Sequence, residues 1–132
     1  MDKILIGAPV IAIIALIFAY IKANAIGKVA PGNERMQEIA KYILDGSMAF
    51  LSRQDKSLGI FVAVLFVVLI FVPSLGFETA ISFLLGAIFS VIAGFVGMRV
   101  ATKANVRTAN AAKESGMGKA LDVAFSGGAV MG

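Results

Sequence analysis

Residues 79–98 read TAISFLLGAIFSVIAGFVGM, a run of twenty residues without a charged side chain. A helix needs roughly 20 apolar residues, at about 1.5 Å each, to cross a hydrocarbon core of about 30 Å. Two further runs, 4–21 and 58–75, are also uncharged. Every backbone polar group inside a bilayer must be paired within its own segment, so we predict a transmembrane helix in each run. Pro73 and Gly76 are expected to end the second of these helices.

The composition excludes an ordinary soluble protein. Of the 132 residues, 59% are hydrophobic and 15% are charged, whereas soluble domains have about 45–50% and about 25%. The chain contains no cysteine, which excludes disulfides and thiolate metal sites, and no histidine, which excludes the commonest general base. We therefore predict an all-α, polytopic membrane protein with three transmembrane helices.

The stretch 123–132 is uncharged but has only ten residues, which are too few to cross a bilayer. We interpret it as the start of a fourth span, truncated, that begins near residue 120. Residues 1–132 would then be the N-terminal part of one larger membrane domain. The alternative is a complete small membrane protein, a scaffold or pore that self-associates through a stripe of small residues. Such residues let helices approach closely, and here they are Ser82, Gly86, Ser90 and Gly94, with Gly97 on a nearby face.

The distribution of cations predicts the orientation. Six lysines and arginines lie in 22–57 and five in 99–119, whereas the link at 73–78 has none and the N-terminus has only Lys3. Lysine and arginine near the ends of spans are held on the cytoplasmic side. We therefore expect both basic segments to be cytoplasmic and the N-terminus to be outside.

The first apolar run has a second interpretation, as a secretory signal cleaved near Ala23-Asn24-Ala25. The run is longer than the usual signal core of about 7–15 residues, and Lys22 lies where a cleavage region is normally neutral. A retained span is therefore favoured.

Residues 33–51 predict an amphipathic helix in the first basic segment. Asn33 follows Pro31-Gly32 and is a suitable N-cap. Because the polar face has mixed charges, we expect the helix to dock on neighbouring helices instead of lying on the bilayer surface. Gly46-Ser47 is a candidate position for a bend. The apolar face consists of Met36, Ile39, Ala40, Ile43 and Leu44.

The helix of the third span is expected to continue through the alanine-rich stretch 101–112. Arg99, Lys103 and Arg107 are spaced by four, so they share one helix face. This face could hold an anionic ligand or lipid headgroups, but an anchor that fixes the membrane topology is favoured.

The other candidate sites in the sequence have simpler interpretations. A magnesium site is less favoured than a solvated, ion-paired helix face for the carboxylates Glu34, Glu38, Asp45 and Asp55. Gly116-Met117-Gly118-Lys119 and Ser126-Gly127-Gly128 lack the spacing or the strand of phosphate loops and are interpreted as turn and close-packing glycines. No ionisable residue lies inside the three runs, as an ion relay would need. No catalytic, cofactor-binding or metal-binding residue is therefore assigned.

Three blocks around the spans resemble the membrane-integral, ion-translocating inorganic pyrophosphatases. GNERMQEIA at 32–40, followed by GSMAFL at 46–51, is similar to the first cytoplasmic loop of that family. GMRVATKANVRTA at 97–109 is similar to the end of its third span, and AFSGGAVMG at 124–132 to the start of its fourth. Asp55 departs from the family pattern, in which an aromatic residue is expected.

The resemblance implies the N-terminal segment of a homodimeric pump that hydrolyses inorganic pyrophosphate with Mg²⁺ and moves protons or sodium ions outward. The spans here would be outer-ring helices of a larger bundle, in a prokaryotic plasma membrane. The Mg²⁺ and pyrophosphate motifs of the family lie beyond residue 132, so this segment is expected to be an inactive scaffold. We expect contact with the lipid bilayer and no nucleic-acid partner. Ion specificity and potassium dependence rest on later spans.

Overall fold

A computed structural model describes the backbone of residues 2–72 and 76–132, and the side chains of 7–72 and 76–132. The described residues form four helices and no strand, which confirms the predicted all-α class. The helices are α1 (Asp2–Lys28), α2 (Glu34–Phe71), α3 (Gly76–Ser115) and α4 (Met117–Met131).

Three of the helices are long and apolar enough to cross a membrane: Gly7–Lys28, Glu34–Phe71 and Gly76–Ser115. Large apolar side chains cover their outer surfaces. Leu16 is 71% exposed and Phe89 is 68% exposed. Both belong to runs that contain no charged residue. Exposed apolar surface of this kind marks contact with a membrane or another protein, and the length and hydropathy of these helices fit a membrane. The chain is an integral membrane protein.

The helices are longer than the predicted spans and continue into the polar segments that follow them. α1 continues past residue 21 to Lys28, and α3 includes the alanine-rich stretch 101–112, as its composition predicts. α2 joins the amphipathic helix and the second span into one helix of 38 residues, so the bend considered at Gly46-Ser47 does not interrupt it. A single glycine costs a helix only about 1 kcal/mol relative to alanine, too little to break one of this length.

The connection between α2 and α3 differs in detail from the prediction. α2 ends at Phe71, before the end of its uncharged run, as expected. Pro73 lies outside the described residues. Gly76 begins α3, where its φ of +72° suits glycine, and so it starts the next helix instead of ending α2.

Asn33 caps α2 as predicted. Its backbone is extended, with φ −74° and ψ 171°. Its side-chain Oδ1 accepts a hydrogen bond from the Met36 N–H at 2.9 Å, which pairs one of the free donors at the helix start.

α3 is the central helix. It packs against α4 most extensively and also against α2, while α1 packs against α4 and more lightly against α3. Small residues let α3 and α4 approach closely. A β-carbon built on Gly127 would lie 2.7 Å from Cβ of Ala104, and one built on Gly97 would lie 3.4 Å from Cα of Met131. Gly127 is therefore a close-packing glycine inside a helix, not part of a turn.

Candidate functional site

The α1–α2 loop, residues 29–33, is tied to α3 by side chains at the polar end of the bundle. Arg107 Nε donates a hydrogen bond to the Val29 carbonyl at 3.0 Å, and Asn110 Nδ2 donates to the Ala30 carbonyl at 3.3 Å. Below them, Val29 packs on a buried apolar cluster of Ala111, Ala120 and Val123. We call this set of contacts the loop junction. It joins the α1–α2 loop, α3 and α4.

Arg107 also turns back on its own helix. Its Nη1 donates to the Lys103 carbonyl at 2.9 Å, so the guanidinium bridges α3 and the loop. Partial burial desolvates the group and lowers its pKa, but an arginine starts so high that it remains charged at neutral pH. Arg107 therefore acts as a fixed cation with two backbone acceptors.

Replacing Arg107 with glutamine is expected to loosen the loop junction. The variant loses the charge-assisted hydrogen bond to Val29, which contributes about 1–2 kcal/mol at a half-buried position. Lys28, at the end of α1, should then be cut faster by trypsin in the detergent-solubilised protein. Lys113→Gln is the control, because Lys113 is exposed and makes no hydrogen bond or ion pair in the described structure. Equal cleavage rates at Lys28 in the two variants would contradict this role of Arg107.

The predicted basic face of α3 lines a groove between α2 and α3. Arg99, Lys103 and Arg107 line it together with Lys41 of α2, in a cavity of about 620 Å³. None of the described residues that line it is acidic. The Arg99 guanidinium lies over the Phe95 ring, 5.1 Å from its centre. We call this cavity the basic groove.

The amphipathic part of α2 docks on α3, as predicted. A smaller cavity of about 170 Å³ separates Met36, Ile39 and Ile43 from the α3 residues Asn105 and Val106. Ile39 nevertheless remains 46% exposed. The apolar face of α2 is thus directed at α3 without being fully covered.

The four carboxylates considered for magnesium are not brought together. Among the side chains of 7–72 and 76–132, no three acidic residues are placed where they could hold a metal ion. Glu38 instead pairs with Arg35 at 2.7 Å and accepts a hydrogen bond from the Tyr42 hydroxyl at 3.2 Å. Asp55 lines a separate groove beside Phe95. The described residues therefore do not fit a Mg²⁺ site, and no chemical step is assigned to one here.

The two glycine motifs have structural roles. Gly116 adopts φ +82° at the start of α4, which makes it a turn glycine. Ser126, inside α4, accepts a hydrogen bond from the Lys22 ammonium of α1 at 3.3 Å.

In the small-residue stripe, Gly97 is buried, while the remaining members are exposed: Ser82, Gly86, Ser90 and Gly94. Within the described structure, the stripe therefore makes a helix contact only at its polar end.

Sequence reasoning missed Asn110 and Lys22. Asn110 is 3% exposed, a buried amide in an alanine-rich helix whose neighbours give no sign of its partner. Lys22 lies 104 residues from Ser126 in the chain. The one local signal at the junction was Pro31-Gly32, since that pair is typical of a turn.

Comparison with known proteins shows similarity along the whole chain. The family model described as inorganic H⁺ pyrophosphatase matches residues 13–132. A protein of Clostridium tetani, provisionally named a K⁺-stimulated pyrophosphate-energised sodium pump, is 55% identical over 133 residues, covering 100% of this chain and 19% of the relative. The K⁺-insensitive pyrophosphate-energised proton pump of Methanosarcina mazei is 42% identical, covering 100% of this chain and 20% of the relative.

The K⁺-stimulated pyrophosphate-energised sodium pump of Thermotoga maritima is also similar. It is 42% identical over 123 residues, covering 92% of this chain and 17% of the pump. The chain therefore spans about a fifth of the length of the curated relatives that it matches.

Proposed function

Because this chain belongs to the inorganic H⁺ pyrophosphatase family, we propose that it forms the N-terminal membrane part of a pyrophosphate-driven ion pump. The whole pump would couple the hydrolysis of inorganic pyrophosphate to the movement of protons or sodium ions across the membrane. Both ions are included, since similar relatives are named as sodium pumps and as proton pumps.

The observation that carries this proposal is the extent of the match. Two pump relatives align over 100% of the chain, at 55% and 42% identity, so the similarity includes the spans and the polar segments between them. The loop junction gives this segment a structural task. It holds α1, α3 and α4 together at the end of the bundle that we assign to the cytoplasm.

In this proposal, residues 1–132 are a scaffold. The described carboxylates do not converge, so the groups that bind Mg²⁺ and pyrophosphate would come from parts of the pump outside this segment. Bound Mg²⁺ would supply charge neutralisation for the phosphate groups. We also propose a homodimer in a prokaryotic plasma membrane, with the N-terminus outside.

The test is a chimera with the Thermotoga maritima pump, in which residues 1–132 replace the aligned N-terminal segment. We expect the chimera to retain pyrophosphate hydrolysis and ion uptake into proteoliposomes. The control chimera carries an unrelated three-span segment of the same length and should be inactive. Residues 1–132 alone should neither release phosphate from pyrophosphate with Mg²⁺ nor move ions. An inserted but inactive chimera, or phosphate release by the segment alone, would overturn the proposal.

The second candidate is a small self-associating membrane scaffold or pore. It is favoured by the exposure of the small-residue stripe, since β-carbons built on Gly86 and Gly94 meet no atom within 4 Å. The reading frame after Gly132 distinguishes the two candidates. A stop codon there would favour the scaffold, whereas continuation into an aspartate-rich span would favour the pump.

A further inference from the structure

We propose that the basic groove is a binding site for an anionic glycerophospholipid. Its headgroup would lie at the cations of the groove nearest the bilayer, and its acyl chains would follow Phe95 and Val96 along α3. The site is independent of the proposed pump activity, because it requires only that α2 and α3 pack together and that α3 crosses a bilayer.

The first argument is charge. Lys41, Arg99, Lys103 and Arg107 line one cavity, and no described residue that lines it is acidic. Two cations outside the groove have acidic partners: Arg35 pairs with Glu38 at 2.7 Å, and Lys119 with Asp122 at 3.4 Å. The groove cations form no such pair within the described ranges. The Arg107 guanidinium donates to two backbone carbonyls, and the Lys103 ammonium lies 3.4 Å from a β-carbon built on Gly27 of α1. Lys41 and Arg99 therefore carry the positive charge that is free to attract an anion.

The second argument is depth. With 79–98 in the hydrocarbon core, Arg99 lies about 1.5 Å beyond the end of the run and Lys103 about 7.5 Å beyond it, at the helical rise per residue. The headgroup layer on each side of a bilayer is roughly 5–8 Å thick. Two of the four cations therefore lie at the level of the lipid phosphates, where basic residues attract anionic headgroups.

The third argument is the apolar lining of the groove. Leu44 of α2 lines the cavity together with Phe95, Val96 and Val100 of α3. Phe95 is 42% exposed and Val96 is 49% exposed, and both belong to the uncharged run 79–98. A small soluble anion would leave the apolar lining of the groove uncovered. An amphiphile with a charged headgroup would cover both the basic and the apolar lining. The cavity of about 620 Å³ is within the range of about 300–1,000 Å³ of ligand sites.

Lys41 and Arg99 are the residues to test. Neither donates a hydrogen bond to the protein in the described structure, unlike Arg107, which holds the loop junction. Each basic residue near anionic headgroups contributes about fivefold in affinity, so Lys41→Gln with Arg99→Gln should weaken binding on the order of 30-fold. The matched control is Arg53→Gln with Lys113→Gln. It removes one arginine and one lysine, neither of which lines the groove.

Binding is measured by native mass spectrometry of the protein produced from its intact gene and released from detergent. The probes are dioleoyl phosphatidylglycerol and dioleoyl phosphatidylcholine, which have the same acyl chains and differ in headgroup charge. We expect phosphatidylglycerol to be retained in preference by the native protein and the control variant, and to be lost from the groove variant.

Three outcomes would overturn the proposal. The first is equal retention of the two lipids by the native protein, a comparison that does not depend on any variant folding. The second is undiminished phosphatidylglycerol binding by the groove variant with unchanged helix content. The third is displacement of the lipid by millimolar inorganic phosphate or pyrophosphate, which would assign the groove to a soluble anion.

Discussion

Replacing Gly127 with alanine is expected to lower the free energy of unfolding by about 1–3 kcal/mol, the usual range for overpacking a tight contact. The added β-carbon would lie 2.7 Å from Cβ of Ala104, well inside the van der Waals distance. Both groups are attached directly to helix backbones, so α3 and α4 must move apart to relieve the contact. Gly127 is buried, and α3–α4 is the most extensive helix pair of the bundle. The measurement is thermal unfolding of the purified protein in detergent.

The neighbouring glycine provides a matched control. A β-carbon on Gly128 meets no atom within 4 Å, and both glycines lie inside α4. Gly128→Ala should therefore stabilise the helix by up to about 1 kcal/mol through propensity alone. Adding Ala104→Gly to Gly127→Ala should restore most of the lost stability, since the second change removes the other carbon of the contact. Failure of this rescue would show that the loss arises elsewhere.

The membrane helices could be predicted because their cause is local. An uncharged run of sufficient length must pair its own backbone in a bilayer, so 79–98 indicates a helix without knowledge of its neighbours. The Asn33 cap is local for the same reason, because its acceptor and the Met36 N–H are three residues apart. The pattern at 33–51 also indicated which face of α2 would dock, since helical spacing fixes the shared side.

The loop junction could not be predicted because its partners are distant in sequence. Arg107 lies 78 residues from Val29, and the hydrogen bond depends on how α1 and α3 pack. From spacing alone, Arg107 was one of three equivalent cations on a helix face. The structure separates them: Arg107 holds the loop, while Arg99 lies over the Phe95 ring. The place of Lys41 in the basic groove could not be predicted either, because it depends on the packing of α2 beside α3.

Replacing Gly32 with alanine is expected to destabilise the α1–α2 loop by about 2–3 kcal/mol. Gly32 has φ +85°, and a left-handed backbone costs a residue with a β-carbon about 1–2 kcal/mol. The β-carbon would also lie 3.0 Å from Oδ1 of Asn110 and 2.7 Å from Sδ of Met36. The methionine side chain can move away, but Asn110 is held by its hydrogen bond to the Ala30 carbonyl. The change therefore strains the backbone and displaces one of the two α3 side chains that donate hydrogen bonds to the loop.

Gly46→Ala distinguishes this effect from a general response to alanine. Gly46 lies inside α2 with open space around its β-position, so its replacement should raise the thermal unfolding temperature slightly. Gly32→Ala should lower that temperature and also speed tryptic cleavage at Lys28, because the loop loses one of its two hydrogen bonds to α3 side chains. If Gly32→Ala lowered stability without changing cleavage at Lys28, the strain would be confined to Gly32 itself. The Asn110 contact would then contribute nothing to holding the loop.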